Sequence, residues 1–197
     1  MSGHIVVLGG LAESLTNFRG PLLRELVARG WKVTAAAPGS APEVEKTLSA
    51  WGIHYVAVPM ERTGLNPLKD ARTIWALSRT LRALKPDVFF GYTVKPVVYG
   101  TMAARMAGVP RRAGMLTGLG YAFTEGRESG LIGQVAKRLL KTALSMSHMT
   151  VFHNSDDLAF MRQVGVVGAA TPVGLVNGSG VDLEHYAAAP LPVGPLS

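Results

Sequence analysis

Short β-branched runs alternate with longer helical patterns along this chain, and that alternation narrows its possible folds more than any other feature. Parallel strands need a crossover between them, normally a helix, so the pattern predicts an α/β fold on an open parallel sheet. Strands are expected at 5–8, 32–36, 54–58, 87–90, 112–115 and 149–152, with a weaker seventh near 172–176. Helices are expected at 17–29, 42–51, 67–84, 95–107, 131–147 and 156–164. Gly30 and Gly108 stop two of these helices, and Asn66-Pro67 supplies a cap and a pre-formed first turn. Pro86 closes the long helix before the fourth strand. Residues 1–176 read as one domain, and the proline-rich stretch 177–197 as a linker or tail.

Composition removes several functions. Cysteine is absent, which excludes disulfide scaffolds, thiolate zinc sites and thiol nucleophiles. The chain is basic, with net charge +7, yet only 17% of its residues are charged and 48% are hydrophobic. A folded domain of that kind meets something else at its surface: an anionic ligand, a membrane or a second domain. No run approaches the roughly 18 apolar residues of a membrane span. The opening MSGHIVVLGG reads as a buried strand ending in two glycines, not as a signal peptide.

The basic charge is unevenly placed. Segment 67–112 holds nine of the 20 basic residues and two of the 13 acidic ones, which accounts for the whole excess. On the helix over 67–84, Ile74, Leu77, Leu81 and Leu84 form the core face, with Arg72, Trp75, Arg79 and Arg82 on the other side. Such a face suits an anionic membrane surface, and arginine stacked on tryptophan within the fold fits equally well. No nucleic-acid module accompanies the charge.

In open α/β sheets, ligands bind beyond the carboxyl ends of the strands, which points to the loops at 91–96 and 117–126. Gly9 and Gly10 after the first strand form either a tight turn or an approach for an anion. The segment lacks G-x-G-x-x-G, and no acid for a ribose follows the second strand, which argues against a dinucleotide dehydrogenase. Lys95, near a helix N-terminus, opposes the helix dipole and suggests an anion in the cleft beside Tyr92 and Thr93. Thr117, Gly118, Gly120, Tyr121 and Phe123 offer close backbone approach and aromatic stacking for a sugar ring. His153 and Asn154, ending the sixth strand, can face the same cleft. The histidines make no metal-binding set, and no serine elbow, Walker lysine or carboxylate pair is visible.

LGGLAESLTNFRGPLLRELVARGWKV, GYTVKP, TGLGYAFT, VFHNSDDLAFM and NGSGVDLEHY, in this order, closely resemble the N-terminal domain of family 4 glycosyltransferases. The nearest relatives by this resemblance assemble bacterial exopolysaccharide, lipopolysaccharide and lipid-linked oligosaccharide. It implies one half of a GT-B fold, in which two Rossmann-like domains face each other across a cleft. The implied reaction is retaining transfer of a hexose or N-acetylhexosamine from a UDP-sugar to a lipid-linked or lipopolysaccharide acceptor. The nucleotide-sugar serves as co-substrate, with no metal or other cofactor. By the same resemblance, the loop carrying Gly9, Gly10, Asn17 and Arg19 approaches phosphate or acceptor. Tyr92, Thr93, Lys95, the segment from Thr117 to Tyr121 and Asn154 line the cleft, and 177–183 crosses to the second domain.

The family's second domain carries the nucleotide site and a Glu-x7-Glu motif, whereas no two glutamates here stand eight positions apart. The expectation is an acceptor-side half, inactive alone, held peripherally at the cytoplasmic face of the plasma membrane. Two other classes stay open: a non-catalytic partner of a split enzyme, and a sugar-nucleotide epimerase or NAD-dependent enzyme.

Overall fold

Residues 3–61, 66–119 and 130–180 are described by a computed structural model. An interior strand of its sheet is β1 (His4–Leu8), every residue of which is buried. Alternate side chains serve opposite faces: Val6 and Leu8 enter one apolar core, Ile5 and Val7 the other. Around it lie β2 (Lys32–Pro38), β3 (His54–Val58), β4 (Val88–Tyr92), β5 (Arg111–Leu116), β6 (Met149–Phe152) and β7 (Val173–Leu175). The sheet order is β3-β2-β1-β4-β5-β6-β7, parallel at every pairing. This is the Rossmann-like α/β architecture that the alternation predicts, and the weak seventh strand is present.

Helices α1 (Glu13–Asn17), α2 (Gly20–Ala28) and α3 (Pro42–Ala50) supply the core on the Ile5/Val7 side. On the other side lie α4 (Pro67–Leu84), α5 (Thr101–Ala107), α6 (Leu131–Ser145) and α7 (Ser155–Gln163). The start of α4 follows its sequence signals. Asn66 caps it by accepting from the Lys69 amide at 3.2 Å, Pro67 takes the first turn, and Asp70 accepts from the Asn66 amide at 3.0 Å. Its buried face is wider than hydrophobicity alone suggests. Thr73 and Ser78 join Leu77 and Leu81, because Thr73 donates to the Pro59 carbonyl and Ser78 to the Trp75 carbonyl, each at 2.7 Å.

Two expected helices differ from the pattern. The one over 17–29 is two: the chain turns at Phe18–Arg19, and α2 restarts at Gly20 with Pro21, which lacks an amide to continue the earlier ladder. The one over 95–107 opens as a π-helical turn, Pro96–Gly100, before α5. That turn presses on the sheet. A side chain at Gly91 would reach 2.8 Å from the Pro96 carbonyl, and one at Gly100 would overlap Phe89. The wider π turn accommodates this approach without breaking the helix axis.

At the opposite end of the sheet His4 is buried in a hydrogen-bonded niche. Its Nδ1 lies 3.1 Å from the Leu84 carbonyl, which only accepts, so Nδ1 carries the proton. Nε2 then accepts from the Thr34 hydroxyl at 2.9 Å. Burial, reinforced by Lys32, pulls the His4 pKa below its ordinary value. The unfolded chain therefore takes up this proton first as pH falls. The neutral niche contributes its full stability above the unfolded pKa of about 6.5 and loses it as pH drops toward the lower folded value. Thermal melts from pH 7.5 to 5 should show falling Tm in the native chain and a shallower fall in His4→Gln; equal slopes would contradict the assignment.

Candidate functional site

Strand order reverses between β1 and β4: the chain runs outward through β2 and β3, then crosses back to place β4 on the other side of β1. The crevice outside their carboxyl ends cannot be closed by a direct connection, so it remains for a ligand. A cavity of about 380 Å³ lies here. Gly10, Thr93, Thr117 and His153 bring strand ends to it, while Leu11, Ser14, Phe18 and Arg19 come from the α1 region. Tyr92 and Ser179 complete its lining.

Arg19 dominates the electrostatics. It is 5% exposed, and its guanidinium lies 4.8 Å above the Tyr92 ring, a cation–π contact. One terminal nitrogen donates to the Ser179 hydroxyl at 2.8 Å, and the buried Nε has no hydrogen-bond partner among the described residues. Burial lowers the Arg19 pKa from its ordinary value, with Tyr92 acting against it, yet a guanidinium keeps its charge. Burial also pushes Tyr92 up to about 12, so its hydroxyl stays protonated. Ser14 donates its proton to the Leu11 carbonyl at 2.6 Å and therefore accepts from Tyr92 at 2.7 Å. Across the cavity, burial and then the Arg19 charge lower the His153 pKa, while Asp157 opposes them. A neutral imidazole results, 3.2 Å from the Met115 sulfur.

Backbone strain sits beside this charge. Thr93 has φ +68°, a left-handed conformation that a β-branched residue rarely adopts. It is held by its amide donating to the Met115 carbonyl at 3.0 Å and its carbonyl accepting from Val97 at 3.0 Å. The conformation turns the chain sharply from β4 into the π turn and leaves Thr93 at the cavity wall. Residues held this way cluster at functional sites.

The cavity collects Gly10, Arg19, Tyr92, Thr93, Thr117 and His153 among the residues singled out in the sequence. Gly9 stands behind it: a side chain there would overlap the Tyr92 hydroxyl, so packing against Tyr92 requires glycine at this position. Asn17 is exposed at the end of α1, outside the lining. Lys95 is also outside. Its ammonium donates to the Glu61 carbonyl at 2.9 Å, lies 3.8 Å from Asp70 and sits over the Tyr99 ring, tying the loop after β3 to α4 and the π turn. Asn154 is the cap of α7, accepting from the Asp157 amide at 2.7 Å, which explains its place after β6. Gly118 is not in the lining, and Gly120, Tyr121 and Phe123 lie outside the described residues.

Ser14, Leu11, Phe18 and Ser179 are cavity residues that sequence reasoning passed over. Their signal was the Phe18-Arg19-Gly20-Pro21 run, an aromatic and a cation placed where a helix must break. Among the described residues, no three His, Asp or Glu side chains converge as a metal ion would require.

A family model described as "Glycosyl transferase 4-like domain" matches residues 17–173. The chain belongs to this glycosyltransferase family. A curated relative from Campylobacter jejuni, N,N'-diacetylbacillosaminyl-diphospho-undecaprenol alpha-1,3-N-acetylgalactosaminyltransferase, is 25% identical over 93% of this chain and 48% of its own length. Among solved structures, a glycosyltransferase from Rickettsia africae superposes with TM-score 0.62 at 12% identity, over 94% of this chain and 45% of that one. The UDP-GlcNAc 2-epimerase of Neisseria meningitidis, bound to UDP-GlcNAc, gives 0.59 at 13%, over 86% and 46%. At these identities the likeness is one of fold. The chain spans about half the length of the relatives it matches, and its sheet is that of one half of a GT-B glycosyltransferase.

Gly9→Ala tests the packing behind the cavity. Overpacking typically costs about 1–3 kcal/mol, and Tyr92→Phe in the same background should recover part of that loss. Denaturant unfolding of the four-member cycle checks it, and strict additivity would refute the contact.

Proposed function

We propose that this glycosyltransferase domain is the acceptor-side half of a retaining enzyme that moves a hexose or N-acetylhexosamine from a UDP-sugar to a lipid-linked or lipopolysaccharide acceptor. The observation that carries the reading is the cationic cavity at the β1/β4 reversal, in a chain of this family whose Campylobacter relative is named for transfer onto a diphospho-undecaprenol-linked sugar. The domain binds and orients; stabilising a departing nucleotide diphosphate calls for donors aimed at that charge, which belong to a second domain. On this reading the segment 177–183 leads toward that domain, and residues 1–176 alone bind without transferring. Nucleotide-sugar enters as co-substrate, and no metal is invoked. A protein combining these residues with the family's second domain should transfer sugar from a UDP-sugar to a prenyl-diphosphate-linked saccharide, measured by product mass. Neither transfer nor donor hydrolysis across a panel of UDP-sugars would overturn the reading.

The outer face of α4 supports a peripheral location for such an enzyme, which this reading puts at the cytoplasmic surface of the plasma membrane. Leu68, Arg72, Trp75, Arg79 and Arg82 recur at spacings of four and three, a single stripe along the helix. Leu68 is 85% and Trp75 54% exposed, with the Arg79 guanidinium 4.8 Å over the indole. Stacking and membrane contact are therefore compatible. Arg82 reaches across to the Met106 carbonyl at 2.9 Å, which brings a further exposed apolar side chain beside the stripe. Among the described residues, no helix is long and apolar enough to cross a membrane, so contact by this stripe is interfacial. Each arginine near an anionic surface contributes about 1 kcal/mol. Vesicle sedimentation should show salt-sensitive binding to anionic lipid, weakened about tenfold in Trp75→Ala/Arg79→Ala. Equal binding to neutral vesicles would contradict it.

A further inference from the structure

The cavity joins two features that ordinary packing does not need together. Arg19 is buried with one neutral hydroxyl partner, an orphaned Nε and no carboxylate acting on it among the described residues. Removing a cation from water costs several kcal/mol unless an anion or a full set of hydrogen bonds compensates. The same cavity has an apolar wall open to solvent: Leu11 is 38% and Phe18 60% exposed, and Leu22 on the next helix is 38% exposed. A hydrophilic anion would match the arginine and leave that wall wet. A purely apolar guest would leave the arginine uncompensated. An amphiphile with an anionic head satisfies both.

We propose that this cavity is the seat of a prenyl-type phosphate, its phosphate oxygens on the Arg19 guanidinium beside Gly10 and Thr93, its first apolar carbons on Leu11 and Phe18. The assignment rests on the proposed lipid-linked acceptor and adds to it a place and a set of residues. A guanidinium matches phosphate geometry through paired N–H groups. Ser179 now holds one terminal nitrogen, and a charged oxygen displaces a neutral hydroxyl with net gain. His153, kept neutral beside Arg19, becomes easier to protonate when an anion enters and so reports on occupancy.

The test titrates this chain with farnesyl diphosphate below its micellar concentration, and separately with inorganic pyrophosphate, farnesol and UDP. Affinity comes from calorimetry and the His153 pKa from imidazole NMR. Farnesyl diphosphate should bind tightest, with loss of either its chain or its phosphates weakening binding at least about tenfold. Binding should raise the His153 pKa. Phe18→Ser, at an exposed position, should weaken farnesyl diphosphate about tenfold and leave pyrophosphate unchanged. Arg19→Gln should weaken both; should it fail to fold by circular dichroism, Arg19→Lys, which keeps charge and loses the paired geometry, should weaken both by a smaller factor.

No saturable farnesyl diphosphate binding would overturn the proposal, as would UDP binding equally well with no effect of Phe18→Ser, which marks a donor site. Phe18→Ser that weakens only docking of a second domain would also overturn it. The transfer assay on the two-domain protein is independent. Transfer without prenyl-diphosphate binding here refutes the seat alone, and prenyl-diphosphate binding without transfer refutes the reaction alone.

Discussion

Burial of β1 on both faces is the constraint from which the functional end of this domain follows. A strand with β2 on one side and β4 on the other, and an apolar core above and below, has only its ends free. The next residue, Gly9, must pass beneath the Tyr92 hydroxyl, so the chain leaves the sheet with no side chain there. Tyr92, itself buried, then becomes a floor. Ser14 fixes its hydroxyl, and the ring face carries Arg19. One packing requirement in the sheet interior thus sets the position of the charge that defines the cavity.

That charge and the strained Thr93 concentrate unfavourable energy at one place. A backbone residue held in a sparsely populated region costs roughly 1–3 kcal/mol, and the desolvated guanidinium adds a further penalty that the tyrosine face only partly offsets. Domains of this size are stable by only about 5–15 kcal/mol in total. Such a local cost persists because the surroundings over-determine it: the Met115 carbonyl and the Val97 amide hold Thr93, and β4 holds Tyr92. The result is a cavity in which Arg19 and the neutral His153 are carried by packed elements.

The sheet was legible in the sequence because a strand buried on both faces must be a continuous apolar run, and little else produces one. β1 and β2 follow from it; β3, β6 and β7, only partly buried, were legible from short β-branched runs, and the α4 cap and the glycine stops from their own local signals. The two helix misreadings share a cause. Periodicity cannot see what presses on a helix from outside, and it was Gly20-Pro21 and the contact of Phe89 with Gly100 that broke or widened those turns. Site residues divided by the same logic. Arg19, Thr93 and Thr117 reach the cavity because strand ends and the break in α1–α2 carry them there. Lys95 and Asn154 have equally polar side chains, but local partners closer than the cavity satisfy them first: the Glu61 carbonyl and Asp70 accept from Lys95, and the Asp157 amide donates to Asn154.

The same accounting changes the meaning of the basic excess in 67–112. Lys95 is spent on Glu61 and Asp70, and Arg112 donates to the Met146 and Val109 carbonyls at 2.8 and 2.5 Å. What remains toward solvent on α4 is a stripe, with Arg79 stacked on Trp75. The cation that matters in the cavity lies outside that segment, at Arg19, and is buried. These two populations of charge obey different physics. Exposed arginines act over a Debye length of about 8 Å at physiological salt and are screened, so they suit a broad, weak, reversible attraction to a surface. Arg19 acts at hydrogen-bond distance in a medium that screens little, so it suits recognition of one group. Salt therefore separates the two proposed roles, arrival at a surface and capture of a ligand, which a single net charge of +7 merges.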